Sequence, residues 1–370
     1  MTLPVTPPVK PMLAKAAKEL PRGDVLYEPK WDGFRCIAFR DGDEVELTSR
    51  NTKLLTRYFP ELLEPLRANL PERCVVDGEL VVPTPEGLDF DLLGQRIHPA
   101  ESRVTRLASA TPASFVVFDL LALGDRDLRP EPLQQRRDLL VEVLGDARPP
   151  IHLTPATTDP DQALDWYERF EGSGFDGVMA KAVDAPYVED KRTQIKVKHH
   201  RTADCVVAGY RLHKDGGVGS LLLGLFDDAD PPRLHHVGVA SAFAASLRRT
   251  LQGELLVFEE GAAEGHPWID GNGLDGSGDG RASVDDEGGA SVRMPGAPSR
   301  WSGGRDLEWV PLRCELVAEV TYENVTSGRF RHPARFLRWR PDKQPADCTY
   351  EQVEVPPPVE FHEVFVEAPR

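Results

Sequence analysis

Long apolar runs are absent from this chain, and cysteine is scarce. No stretch of its 370 residues approaches a membrane span, and the proline-rich start lacks the apolar core of a signal peptide. The cysteines are widely scattered and never form a C-x-x-C pair; they are Cys36, Cys74, Cys205, Cys314 and Cys348. This pattern argues against a disulfide framework and against a zinc site. We therefore expect a protein of a reducing, cytoplasmic compartment, with two or three domains in a chain of this length.

Positive charge is also in deficit, since 44 Lys and Arg stand against 60 Asp and Glu and the formal net charge is −16. A global excess of acid disfavours a nucleic-acid partner. Much of the acid, however, lies between residues 259 and 287 and after residue 350, while basic residues cluster at 196–201 and 335–343. A phosphate-binding groove can coexist with an acidic exterior, so charge weakens that hypothesis without excluding it. A Walker-type phosphate loop is missing as well, so any nucleotide is bound in another way.

Residues 1–200 alternate β-rich runs with amphipathic segments. Apolar alternation around the turn Asp41-Gly42-Asp43 predicts a hairpin, and strongly apolar runs predict central strands. Leucines and aromatics at three- and four-residue spacing predict helices. The predicted strands are 34–39, 44–49, 75–82, 114–121, 177–183 and 193–198, and the predicted helices are 60–70, 132–144 and 161–170.

From about Ala203 the pattern changes to short strands with one helix. The predicted strands are 205–212, 219–226, 234–239, 314–325 and 336–340, and the helix is 243–252. This succession is typical of a small Greek-key β-barrel such as an OB-fold. Residues 261–305 are rich in Gly, Asp and Ser, which predicts a mobile loop inserted in the barrel. We therefore predict one domain over residues 1–200 and a second, barrel domain over 201–370.

The stretch Lys30-Trp31-Asp32-Gly33-Phe34-Arg35 places a lysine close to an acid and an arginine. A lysine amine attacks phosphorus only when unprotonated, and neighbouring cations or partial desolvation can lower its pKa enough. Asp32 could hold a metal or orient the amine, and Arg35 could hold a phosphate oxygen. The same residue types are common in surface turns, so this stretch alone does not define a site.

Five further polar clusters lie in or at the ends of predicted strands. They are Ser49-Arg50-Asn51, residues 76–80 with Asp77 and Glu79, residues 115–121 with Phe118 and Asp119, residues 176–181 with Asp176 and Lys181, and residues 195–198 with Lys196 and Lys198. Each cluster alone fits a strand-end cap, a solvated edge or a turn. Charged side chains inside apolar strands are costly unless they are paired or bind a ligand. Their recurrence in several strands of one domain favours a nucleotide pocket with a metal.

In order and spacing these clusters resemble the motifs of the lysine-nucleotidyltransferase superfamily: ATP-dependent DNA ligases, RNA ligases and mRNA capping enzymes. The stretch Arg335-Phe336-Leu337-Arg338-Trp339-Arg340-Pro341-Asp342-Lys343 is similar to the R-x-D-K motif that DNA ligases share with capping enzymes. Within the superfamily, the chain most resembles the small stand-alone bacterial ligases of the actinobacterial ligase C type. The resemblance implies an α+β protein, in which an ATP-grasp-like nucleotidyltransferase (adenylation) domain is followed by an OB-fold β-barrel domain.

The resemblance also implies a role for each matching position. Lys30 would attack the α-phosphate of ATP, expel pyrophosphate and hold AMP as a phosphoramidate. Glu28 would contact the adenine edge, Phe118 would stack on the base and Glu79 would bind the ribose. Phosphate contacts would come from Arg35, Arg50, Lys196 and Lys198, and from the C-terminal set Arg338, Arg340, Asp342 and Lys343. Asp176 and Asp32 would hold Mg²⁺ or Mn²⁺.

Two positions depart from the family's usual pattern. Asp176-Gly177 stands where the family usually has Glu-Gly, which shortens the acid by one methylene group. Gln194-Ile195 precedes the paired lysines, where the family often has an aromatic residue or leucine. The metal-binding role of Asp176 therefore has weaker support than the nucleophilic role of Lys30.

The implied activity is ATP-dependent DNA ligation in repair or recombination. AMP would pass from Lys30 to the 5′-phosphate at a nick, and the 3′-hydroxyl would then displace AMP. Because the C-terminal motif must act in the first step and then leave, we expect a domain rotation about residues 199–204. The implied cofactors are ATP and a divalent metal. We expect a monomer of the bacterial cytoplasm, associated with the nucleoid, that binds nicked double-stranded DNA and other repair proteins but no membrane.

Three other functions stay open at this point. A capping-type guanylyltransferase shares most of these motifs and would use GTP, so labelling with ATP or GTP separates the two. An RNA ligase is less favoured, because the barrel with its C-terminal motif is a feature of DNA ligases and capping enzymes. A non-enzymatic DNA-end-binding protein on a decayed ligase scaffold would be expected to lose Lys30 or the C-terminal basic motif first, and both are present.

Overall fold

The structure is a computed structural model that describes residues 1–199, 201–269, 292–295, 308–326 and 328–366. The chain divides into two units, Met1–His199 with Val355–Arg370, and His200–Glu354. The sequence placed the boundary at residue 200 and extended the second domain to residue 370. The contacts instead assign the residues from Val355 onward to the first unit.

Up to His199, the first unit is built on two main sheets, a two-stranded ribbon and five α-helices. Its strands are β1 Leu13–Ala17, β2 Val25–Lys30, β3 Phe34–Asp41, β4 Glu44–Ser49, β5 Arg73–Val81, β6 Pro83–Thr84, β7 Gly87–Leu88, β8 Ser114–Leu123, β9 Arg126–Asp127, β10 Ile151–Leu153, β11 Gly177–Ala182 and β12 Arg192–Lys198. Its helices are α1 Leu63–Asn69, α2 Phe90–Gln95, α3 Glu101–Ala110, α4 Leu133–Leu144 and α5 Pro160–Arg169.

The smaller of the two sheets has four strands in the order β1-β12-β11-β2. Strand β1 runs parallel to β12, and the other two pairings are antiparallel. Helix α5 packs on one face, where Ala163 meets the buried side chains of Tyr27 and Val178. Since side chains alternate along a strand, the charged residues of β2, β11 and β12 are left on the opposite face.

The larger sheet has the order β10-β8-β5-β3-β4, and β9 pairs with β8. Its apolar faces are covered on both sides. One face packs against α1 and α4, as shown by Leu66 and Leu140 in its core. The other face is covered by the N-terminal segment through Leu3, Val5 and Val9. Burial on both faces explains why β5 and β8 read as nearly continuous apolar runs in the sequence.

The second unit is a small barrel. Its strands are β13 Arg201–Leu212, β14 Val218–Phe226, β15 Leu234–Ala240, β16 Val310–Tyr322, β17 Val325–Thr326, β18 Arg329–Phe330 and β19 Arg335–Trp339, and its helix is α6 Ala245–Leu255. The main sheet has the order β15-β14-β13-β16-β19. A parallel bridge between Ala240 and Ala334 joins the end of β15 to the residue before β19, which closes the sheet on itself. This five-stranded closure, with the helix between the third and fourth main strands, is the expected OB-fold.

The predicted inserted loop at 261–305 is only partly within the described residues, because 270–291 and 296–307 lie outside them. Its first part belongs to the barrel core. Trp268 is 3% exposed and donates a 2.8 Å hydrogen bond from its indole nitrogen to the Leu234 carbonyl. His266 is buried beside Ala208. These two large side chains anchor residues 261–269 in the barrel, and the mobile inserted loop at 261–305 stays a prediction.

The chain returns to the first unit after the barrel. Residues 355–366, which we call the C-terminal tail, end in a short helix, α7 Glu363–Val366. Val364 of the tail is 1% exposed and packs in a cluster with Trp31, Trp166 and Phe175. This apolar contact is the physical reason that the tail groups with the first unit. Within the described part of the chain, no helix is long and apolar enough to cross a membrane.

Candidate active site

Three neighbouring strands of the smaller sheet present a set of charged side chains on one face. The register pairs Gly177 of β11 with both Lys30 of β2 and Lys198 of β12. Two residues further along, Met179 pairs with both Glu28 and Lys196. Side chains directly opposite each other in a sheet share a face, so Lys30, Glu28, Lys196 and Lys198 converge. Glu28 and Lys30, like Lys196 and Lys198, are two residues apart because every second side chain of a strand lies on the same face.

Lys30 lies against Asp176 at one end of this face. Lys30 Nζ is 2.6 Å from Asp176 Oδ2, and Lys198 Nζ is 3.1 Å from the same oxygen. Burial raises the pKa of the Asp176 carboxyl, but the charges of Lys30 and Lys198 outweigh burial and hold that pKa well below its usual range. The carboxylate therefore stays ionised between two ammonium groups.

Gly177 makes this arrangement possible. Its φ is +131°, which side chains rarely adopt, and a Cβ there would lie 2.0 Å from the Val197 carbonyl oxygen. The preceding residue, Asp176, is tied to strand β2 by a 2.9 Å hydrogen bond from its backbone nitrogen to the Lys30 carbonyl. Lys30 and Asp176 are thus joined through both backbone and side chains.

A second, more deeply buried ion pair lies further along the same face. Lys181 Nζ is 2.6 Å from Glu28 Oε2, and the two side chains are 4% and 3% exposed. The other carboxylate oxygen, Glu28 Oε1, is buried without a hydrogen-bond partner among the residues that the structure describes. Gln194 Oε1, in a side chain that is 4% exposed, is likewise buried without a partner. Buried acceptors are normally paired, so these two oxygens indicate a donor supplied by a ligand.

The larger sheet contributes Arg35, Glu79 and Phe118 from β3, β5 and β8. Arg35 donates from Nε to Asp77 Oδ1 at 2.6 Å and from Nη2 to Asp77 Oδ2 at 2.7 Å. The Tyr187 hydroxyl donates to the same carboxylate at 2.7 Å. The Arg35 guanidinium also lies 4.3 Å from the centre of the Phe118 ring. Arg35 is thus oriented by Asp77, and its phosphate contact stays a prediction.

Phe118 is 6% exposed, and its ring is contacted by two cations. Besides Arg35, Lys181 Nζ lies 4.6 Å from the ring centre. Such contacts with the π-face fix the ring and are favourable when the cation is partly desolvated. Stacking of the base on Phe118 stays a prediction.

Glu79 is the titratable group of this cleft with a pKa near neutrality. Burial raises the pKa of Glu79 to about 7, against the opposing effect of the Arg35 and Lys30 charges. Asp32 and Asp77 add to the increase, which places the Asp32 carboxylate close enough to act on Glu79. The protonation state of Glu79 therefore changes in the pH range in which the protein would work.

The structure brings most of the predicted site residues of the first unit together. One cleft is lined by Glu28, Lys30, Arg35, Arg50, Glu79, Phe118 and Lys196, and further by Met12, Trp31, Met179, Lys181 and Gln194. Asp176 and Lys198 join it through their ion pairs with Lys30. The C-terminal set belongs to the second unit, where Arg338 pairs with Glu319, and Arg340 with both Asp204 and Asp342.

Sequence reasoning assigned no role to Lys181, Gln194 or Tyr187. Lys181 ends the polar cluster of residues 176–181. Because side chains alternate along a strand, Gly177, Met179 and Lys181 share one face, which is the face of the cleft. Gln194 could have been found in the same way, because it precedes Lys196 by two residues on one strand. Tyr187 lies in a loop with no sequence signal, and only the folded chain places its hydroxyl on Asp77.

A first unit of two main sheets with a charged cleft, followed in the chain by a five-stranded barrel, is the fold of a nucleotidyltransferase domain joined to an OB-fold domain. The sequence model described as "ATP dependent DNA ligase domain" matches residues 9–198. The chain belongs to the ATP-dependent DNA ligase family, which confirms the resemblance, the fold class and ATP as the nucleotide.

Individual relatives are similar over nearly the whole chain. The chain is 52% identical to DNA ligase C2 of Mycolicibacterium smegmatis, over 96% of this chain and 97% of that protein. It is 51% identical to DNA ligase C of Mycobacterium tuberculosis, over 98% of this chain and 99% of that protein. The solved structure named "Pmar-Lig_Pre." covers 90% of this chain and 68% of its own, with 15% identity and a TM-score of 0.54, and shows a common fold.

Proposed function

We propose that this chain seals nicks in double-stranded DNA through a lysyl-AMP intermediate on Lys30, in the service of DNA repair at the bacterial nucleoid. The observation that carries the proposal is the position of Lys30. Its amine lies 2.6 Å from Asp176 in a cleft whose lining combines five cationic side chains, Lys30 included, with two buried acceptors that have no partner among the described residues. Cations suit a triphosphate, and buried acceptors suit the amine of a base.

In the first step, the Lys30 amine forms a bond to the α-phosphorus of ATP while the bond from that phosphorus to the bridging oxygen breaks. Pyrophosphate leaves with the electron pair of the broken bond. The amine must lose a proton, and Asp176 Oδ2 is the acceptor within hydrogen-bond distance. Because the pKa of Asp176 is held well below its usual range, the carboxylate passes the proton on to solvent. Lys198 and Lys196 offset the negative charge that moves onto the α-phosphate and leaving group.

The base is recognised at the other end of the cleft. We assign the exocyclic amine of adenine to Glu28 Oε1 and Gln194 Oε1, the two buried oxygens without partners. A guanine base presents a carbonyl oxygen at this position, which two acceptors would repel. This argument favours ATP over the GTP of a capping enzyme.

A divalent cation fits the donor set. In the described part of the chain, no three His, Cys, Asp or Glu side chains cluster as a metal site. Mg²⁺ is commonly held by one or two carboxylates together with substrate phosphates, and we assign it to Asp176, beside Lys30, and to Asp32, whose charge acts on Glu79. When bound, the cation would neutralise phosphate charge. Asp176 would then exchange part of its contact with Lys30 and Lys198 for the metal.

The C-terminal motif acts in the first step in this proposal. Arg338 and Lys343 of the barrel would contact pyrophosphate, while Arg340 is oriented by Asp204 at 2.8 Å and by Asp342. The barrel would rotate about residues 199–204 before the later steps. A crosslink that holds the closed state should permit self-adenylylation and block sealing, and sealing by the crosslinked enzyme would contradict the rotation.

The test of the proposed function is direct. The protein is incubated with labelled ATP or labelled GTP, its intact mass is measured for a nucleotide adduct, and sealing of a nicked duplex is scored in parallel. We expect an AMP adduct and ATP-dependent sealing. An adduct formed only with GTP, or an adduct without sealing of DNA, would contradict the proposal.

A further inference from the structure

The C-terminal tail, residues 355–366, packs directly behind the adenylylation site of the first unit. We propose that the tail is a positioning element for the first step, which fixes Lys30 and Asp176 through the two aromatic residues next to them in the chain, Trp31 and Phe175. The inference rests on the proposed role of Lys30 as the nucleophile. In this proposal the first step requires the tail in addition to the residues that line the cleft.

The tail packs closely against residues 172–173 of the first unit. Gly172 lies so close to the tail that a Cβ on this residue would be 1.7 Å from the Pro356 carbonyl oxygen. One residue later, the buried hydroxyl of Ser173 accepts a 2.7 Å hydrogen bond from the backbone nitrogen of Val359. Val364 is 1% exposed. Backbone approach, a buried hydrogen bond and an apolar anchor together hold the tail in one register.

Two aromatic side chains of the tail reach the site. Phe365 stacks on Trp31, with ring centres 5.4 Å apart and planes 9° apart, and also stacks on His152 at 4.5 Å. Phe361 meets the edge of Trp31 at 5.9 Å. Trp31 itself is 5% exposed and donates from its indole nitrogen to Thr154 Oγ1 at 2.8 Å. Aromatic contacts of this kind contribute beyond the area that they bury.

These contacts lead to the reacting atoms in one step. Trp31 follows Lys30 in the chain and packs on Phe175 with ring centres 4.6 Å apart, and Phe175 precedes Asp176. The tail therefore supports both ends of the Lys30–Asp176 pair. Because an attacking group must be held within a fraction of an ångström, loss of this support should slow nucleophilic attack more than it weakens ATP binding.

The test uses the full chain with single substitutions. Phe365→Ala removes the ring that stacks on Trp31, and Phe365→Tyr keeps it. Gly172→Ala places a methyl group against Pro356, whereas the matched control Gly94→Ala, in helix α2, has nothing within 4 Å of the new Cβ. Two rates are measured for each variant: single-turnover self-adenylylation at varied ATP, and sealing of a pre-adenylylated nick, which does not use the Lys30 amine.

We expect Phe365→Ala and Gly172→Ala to lower the maximal rate of self-adenylylation roughly tenfold, with half-saturating ATP changed less than about twofold. Both variants should seal the pre-adenylylated nick at a rate close to that of the wild type. The controls Phe365→Tyr and Gly94→Ala should keep both rates close to wild type. An unchanged maximal rate would overturn the proposal. So would a parallel loss of both rates, which indicates general destabilisation. Failure of the wild type to form any AMP adduct would instead contradict the proposed function.

Discussion

Lys181 Nζ lies 2.6 Å from Glu28 Oε2, and both side chains are almost completely buried. The pair fixes the Glu28 carboxylate so that its second oxygen is left for a ligand. The same ammonium lies 4.6 Å from the centre of the Phe118 ring, so one lysine orients two of the residues assigned to the base.

Removing one partner of the Lys181–Glu28 ion pair should destabilise the first unit. Lys181→Met leaves the Glu28 carboxylate buried without its cation, and we expect a loss of about 3–5 kcal/mol in the free energy of unfolding of the first unit. The double variant Glu28→Gln with Lys181→Met removes the stranded charge and should recover much of the loss. Urea unfolding of the wild type, both single variants and the double variant measures the coupling. Additive losses in the double variant would show that the pair is not the source of the effect.

Lys30→Ala should abolish the AMP adduct and ATP-dependent sealing, with a loss of at least about a thousandfold, because it removes the amine that we assign as the nucleophile. The variant should still seal a pre-adenylylated nick. Lys198→Ala is the matched control: it shares Asp176 with Lys30 but keeps the nucleophile, so adduct formation should be slowed and not abolished. Intact mass and gel-based sealing give both readouts. An adduct on Lys30→Ala would refute the assignment.

Gln194→Leu should lower the efficiency of self-adenylylation with ATP roughly tenfold, because one acceptor for the adenine amine is lost. Purine riboside triphosphate lacks that amine and serves as the chemical control. The wild type should use this analogue less well than ATP, whereas Gln194→Leu should show a smaller preference for ATP, because only Glu28 Oε1 is left to accept from the amine. An equal loss with both nucleotides would place the effect of Gln194 elsewhere than at the amine.

Glu79 should make nucleotide binding depend on pH near neutrality. Since burial raises its pKa to about 7, the carboxyl is mostly neutral below that pH and anionic above it. An anion beside a triphosphate repels it, so the affinity for a non-cleavable ATP analogue should fall roughly tenfold from about pH 6 to about pH 8. Glu79→Gln should remove the part of the slope due to this group, and the exposed Glu86→Gln should not. Calorimetric titration with the analogue between about pH 6 and about pH 8 measures how the affinity depends on pH. An unchanged pH dependence in Glu79→Gln would show that Glu79 is not the group responsible.

His152 should make the stability of the first unit depend on pH in the acidic range. Burial lowers the pKa of His152 from its ordinary 6.5 to about 4. The folded state thus disfavours the proton, and the stability that neutral His152 contributes is complete above about pH 6.5 and is lost as pH falls towards 4. We expect a loss of about 2–3 kcal/mol over that interval.

His152→Phe should reduce this pH dependence while keeping a ring against Phe365. His362→Phe, at a tail histidine whose side chain is 70% exposed, should leave it unchanged. Urea unfolding midpoints at several pH values give the comparison. An identical pH dependence in wild type and His152→Phe would rule out His152 as the titrating group.

Most strands of both units follow from the sequence, because alternation and apolar runs are local signals. Strands β3, β4, β8 and β12 lie within a few residues of their predicted bounds. Strand β1 was not predicted: Leu13–Ala17 is rich in alanine and lysine, which favour helix, and it is a strand because it pairs in parallel with β12.

The resemblance of several motifs to one superfamily anticipated that Lys30, Glu79 and Lys196 would line one cleft, and their roles stay predictions. The partners of these residues were not anticipated. Asp176 meets Lys30 across 146 positions, and Tyr187 meets Asp77 across 110. The first contact depends on the pairing of β2 with β11 within the smaller sheet, and the second on a loop that returns to the larger sheet. The tail was missed for the same reason, since nothing near Phe365 in the sequence points to Trp31.

The path of the chain has a consequence for its biosynthesis. The barrel is an insertion in the first unit, whose structure draws on Met1–His199 and on the residues after Glu354. While a ribosome is still adding the barrel, Trp31 and Phe175 have no tail to cover them. A chain that stopped between Lys343 and Val355 would therefore carry every proposed site residue but lack the segment that packs on Trp31 and Phe175.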